Sequence, residues 1–324
     1  MKVPTIKQVR DDLYKRKVCF VTNGWTEPGS LLWPSMNTWR DLAKDNILIV
    51  PASYENIPYF YGRNAFLYML DFCIHRGYDY IIYMDEDFFL NTRENGYLQL
   101  YELFNVFAWD DEHSLAGMPD GGMVCHRNHN NLLINTFVSF WNLRLIRDAF
   151  RGDFNELAKR EGFETFRNNN KHLYTKLQVL SSQAIKQGEE YRKTVFKESE
   201  NYESPYCGIV RNDPNNPCEP NQIPYSCKED DFEPYYSVQE NILVKTQKPI
   251  MYLLASDAYF PKSEYGFYEQ SGITTVMLDK NLYNNTFHRW AFHTWFAREW
   301  NIEQRHTDRI KKVVEWCEKQ ENFS

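Results

Sequence analysis

Residues 80–90, YIIYMDEDFFL, constrain this chain more than any other stretch. An apolar run rich in aromatic and β-branched side chains, Tyr80–Met84, delivers Asp85, Glu86 and Asp87 in succession, and Phe88, Phe89 and Leu90 follow at once. A run of that length and composition reads as a buried strand whose end presents carboxylates. Three adjacent acids in an apolar setting are costly through desolvation and mutual repulsion, so a compensating positive group is expected. A divalent cation meets that need. Residues two apart in extended chain point the same way, which lets Asp85 and Asp87 share one ion while Glu86 points away or supports them.

The flanking pattern is that of an α/β protein. Lys17–Gly24 reads as a first strand ending at an Asn-Gly turn, Ser35–Lys44 as a short helix and Asn46–Pro51 as a second strand. Phe66, Met69, Leu70 and Cys73 then recur at helical spacing, Gly77 suits the helix end, and the acid-bearing strand follows directly. Two strand–helix–strand steps in succession predict a mainly parallel sheet flanked by helices, with its ligand crevice at the carboxyl ends of the strands. Asp85–Asp87 fall at that edge.

Beyond it, residues 94–109 are predicted as a helix, Leu115–Met118 and Gly121–Cys125 as short strands, and Leu132–Asn142 as a strand running into a helix at Leu143–Phe150. Residues 151–201 turn polar and helical, like an inserted arm or lid. Residues 201–231 are irregular, with five prolines and Cys207, Cys218 and Cys227. Tyr235, Val238 and Ile242 return to helical spacing behind Pro234, Pro249–Ala255 reads as a strand, and a terminal amphipathic helix starts near Asp308.

The net charge of −7 argues against a general nucleic-acid binder, which would carry a basic surface. Seven cysteines are scattered without a CxxC pair. Cys19, Cys73 and Cys125 lie in apolar runs, where a buried thiol is the ordinary role. The first twenty residues hold no signal-peptide core, and no stretch is long and apolar enough to span a bilayer, so a cytoplasmic location is expected. Trp290, Trp295 and Trp300 lie in a dense aromatic tail, TFHRWAFHTWFAREW. They suit core packing, stacking on a sugar, or peripheral contact with a membrane interface.

A first strand, a helix opening with Gly62-Arg63-Asn64, an apolar strand and Asp85-Glu86-Asp87 together resemble the nucleotide-sugar-binding half of a GT-A glycosyltransferase, family 2-like. The resemblance covers residues 17–145 well and residues 228–256 more loosely. It implies one GT-A-like catalytic domain over residues 1–324: a donor half at 17–145, a helical and loop insertion at 151–227, and an acceptor half with the C-terminal helix at 228–324. It also implies a nucleotide-sugar donor and a carbohydrate or glycoconjugate acceptor. Asp85 and Asp87 would hold Mn²⁺ or Mg²⁺ on the donor diphosphate, with His293 as a further metal ligand. Asn23, Arg63 and Asn64 would contact the donor, and Asp120 and Asn135 the acceptor. Asp231 or Asp230, with Glu233 behind them, would act as general base on the acceptor hydroxyl. Asn142 reads either as an acceptor-side residue or as a helix cap.

Other classes compete. In a HAD-type phosphatase an apolar strand also ends in DxD, with Asp85 then the nucleophile, but that motif continues with Gly-Thr rather than Phe88-Phe89. A sugar nucleotidyltransferase would need a glycine-rich loop with a lysine near the first strand. A non-catalytic carbohydrate-binding protein would explain the aromatics, which make up 16% of the chain, but not the acids.

Overall fold

The computed structural model describes residues 3–24, 26, 28, 30, 32–51, 63–92, 95–119, 133–151, 235–253, 255–259, 273–280 and 287–293. Helix α1 (Ile6–Lys15) starts in a capping box in which Thr5 and Gln8 satisfy each other's backbone N–H groups. Strand β1 (Val18–Gly24) follows, buried along its whole length. The single helix expected at Ser35–Lys44 is instead two short ones, α2 (Leu32–Asn37) and α3 (Arg40–Ala43). The break has a use. Ser35 Oγ donates to Phe88 O, and Leu90 N donates to Thr38 Oγ1 at 3.0 Å, so side chains at the break occupy backbone groups of a later strand.

Strand β2 (Ile47–Pro51) leads to α4 (Arg63–His75). Helix α4 stops in a Schellman turn: Tyr78 N donates to Cys73 O, Gly77 N donates to Ile74 O, and Gly77 takes a φ of +76°. Strand β3 (Tyr80–Asp85) comes next, then β4 (Phe88–Leu90), α5 (Gly96–Phe107), β5 (Leu115–Pro119), β6 (Ile134–Asn142) and α6 (Leu143–Phe150). After them come α7 (Tyr236–Thr246), β7 (Ile250–Tyr252), β8 (Ala255–Tyr259), β9 (Ile273–Lys280) and β10 (Phe287–His293).

Six strands form one sheet in the order β2-β1-β3-β6-β5-β7. Within it β6 runs against the other five, so the sheet is mainly parallel, as its strand–helix–strand units predict. Both faces are covered. On one, Phe20, Ile82 and Met84 meet α1, α3 and α5 through Leu13, Leu42 and Phe104. On the other, Val21, Ile81 and Tyr83 meet α4, α6 and α7 through Phe66, Ile146 and Ile242.

A second sheet, in the order β4-β10-β9-β8, is antiparallel. Its β8 is separate from β7, so the strand expected over Pro249–Ala255 is shorter, and β9 and β10 were not anticipated. The expected strand at Gly121–Cys125, the insertion at 152–227 and the terminal helix lie outside the described residues. Among the described residues no helix is long and apolar enough to cross a membrane.

Cys19 and Cys73 are buried free thiols. A hydrogen bond to Cys19, and then burial, push the Cys73 thiol far above its ordinary value of 9.0. Burial raises Tyr78 beside it too. The folded chain therefore keeps protons that the unfolded chain releases above about pH 9, so this contribution to stability is intact at neutral pH and is lost as pH rises. We expect the urea unfolding midpoint to fall as pH rises through and above about 9, where the unfolded thiol loses its proton. A flat profile would remove Cys73 from the buried-thiol role.

Candidate functional site

Strand β1 lies between β2 and β3, so the chain leaves β1 on one side and returns on the other. In an open α/β sheet the crevice outside the carboxyl ends at such a reversal is where ligands bind. The register puts Asn23 of β1 opposite Asp85 of β3 at that point. Asn23 is buried, and its Nδ2 donates to Val50 O at 2.8 Å, which ties β1 to β2 at the same edge.

Asp85 is half-buried, and both of its oxygens accept from hydroxyls. Tyr83 OH donates to Oδ1 at 3.1 Å, and Thr136 Oγ1 donates to Oδ2 at 3.1 Å. Tyr83 shares a strand face with Asp85 by simple alternation. Thr136 arrives from β6, which pairs with β3 up to Met84–Val138. The Tyr83 ring is fixed by Phe66 at the start of α4, with ring centroids 4.8 Å apart.

The chain turns sharply at Glu86 and Asp87 and enters β4, so the three acids are the joint between the two sheets. Asp87 is only 6% exposed. Glu86 folds back over the end of β1: a Cβ on Gly24 would lie 2.5 Å from Glu86 Cβ and 2.5 Å from its Oε2. Glycine is required there by close approach. On the far side of the turn, β10 pairs with β4 in the register His293–Phe88, which brings His293 to the residue next after Asp87.

At Arg63, Asn64 and His293 only the backbone is described. Arg63 opens α4, whose first turn carries Phe66. Phe66 also packs on Tyr235, with centroids 5.6 Å apart, immediately before α7. The start of α7 is therefore at the carboxyl edge as well. Asp120, Asp230, Asp231 and Glu233 lie outside the described residues.

Asn135 is 2% exposed, and its side-chain oxygen accepts from Phe137 N, a bond local to β6. Asn142 sits at the opposite edge of the sheet, paired with Tyr80. There it caps α6 by accepting from Leu145 N and donates to Asp111, so of its two readings the helix cap is the one observed.

The sequence pattern points to Asn23, Asp85 and Asp87, and all three stand at one edge. It missed Tyr83, Thr136 and the contact of Glu86 with Gly24. Strand alternation is the signal that could have found Tyr83, two residues before Asp85; Thr136 depends on the register between β3 and β6, which no local signal fixes. No protein-family model matches the chain, and no curated protein matches it either.

Proposed function

We propose that this chain is a metal-dependent glycosyltransferase of the GT-A type, moving a sugar from a nucleotide-diphosphate donor to an acceptor hydroxyl in glycan or polysaccharide synthesis. The observation that carries the reading is the pairing of Asn23 with Asp85 at the reversal of strand order, with Asp87 in the turn that follows. A mainly parallel sheet with helices on both faces supports it at the level of architecture.

The residues suit a hard cation. Among the described residues no three His, Cys, Asp or Glu side chains gather where they could hold a metal ion. Two carboxylates at a crevice suit Mg²⁺ or Mn²⁺, which retain water and take further oxygens from substrate phosphates. Bound there, the cation would act as a Lewis acid on the departing nucleoside diphosphate. Asp85 and Asp87 would hold it, with His293 as the further ligand. Asn23, Arg63 and Asn64 would contact the donor; an arginine at a helix start offers a bidentate phosphate contact. Asp231 or Asp230 would accept the proton of the acceptor hydroxyl, and Asp120 and Asn135 would hold the acceptor. Tyr235 supports the base assignment, because it follows those acids closely in the chain and packs at the same edge.

The expected result is that UDP or GDP with Mn²⁺ raises the melting temperature by several degrees. Ligand at about 100 times its Kd contributes about 2.7 kcal/mol. Asp87→Ala abolishes the shift. No shift with any nucleotide, together with phosphatase turnover that requires Asp85, would overturn the assignment in favour of a nucleophilic Asp85.

A further inference from the structure

We draw no further inference here: the strongest candidate, the apolar surface patch of Val106 and Trp109 at the C-terminal end of α5, 53% and 80% exposed, carries nothing because nothing in the structure shows what covers it.

Discussion

Phe66→Ala is expected to destabilise the fold by about 3–5 kcal/mol, the range for truncating a buried aromatic ring to a methyl. Phe66 is 3% exposed, in the first turns of α4. Its ring meets three others: Tyr83 at 4.8 Å, Trp141 at 5.3 Å and Tyr235 at 5.6 Å between centroids. These belong to β3, to β6 and to the residue before α7, so one side chain joins two central strands to two helices. Two of these neighbours are held against moving into the space, Trp141 by its Nε1 on Ser139 Oγ at 2.8 Å and Tyr83 by its hydroxyl on Asp85. A cavity term should therefore add to the transfer term. Urea unfolding measures the loss, with Phe66→Leu as a milder control. A cost under about 1 kcal/mol would show that the four rings do not form one packed unit.

Much of the N-terminal half of the fold was legible because each element there carries its own punctuation. Strand β1 ends at Asn23-Gly24, α4 stops at Gly77, and β3 announces itself by an apolar run broken by acids. These are local signals, and the parallel sheet follows from their order. The break between α2 and α3 was not legible, since Ser35 in the last turn of α2 and Thr38 just after it serve β4, far along the chain. The antiparallel sheet was missed for a related reason. FHRWAFH reads as a generic aromatic stretch until β9 and β4 flank it, and strand pairing over such separation has no signature in either strand alone. The site divides in the same way. Asn23, Asp85 and Asp87 are visible from sequence; Thr136 and the nearness of His293 to the acid turn come only from register.

A second large effect is expected at Gln239, where the pattern of a buried helix gives no hint of a polar task. Its Oε1 accepts from Ile134 N at 2.9 Å and its Nε2 donates to Ile134 O at 2.8 Å, with Gln239 1% exposed and Ile134 fully buried. Ile134 stands opposite Pro119 of β5, and the pairing of β6 with β3 runs only as far as Met84–Val138. The Gln239 amide serves both backbone groups of Ile134, donating and accepting as a strand would. Gln239→Leu keeps the bulk and strands two buried backbone groups, each costing about 1–3 kcal/mol, so a loss of about 2–6 kcal/mol is expected. Hydrogen exchange at the Ile134 amide should accelerate in step. A protected amide and a loss below about 1 kcal/mol would mean that β6 finds other partners.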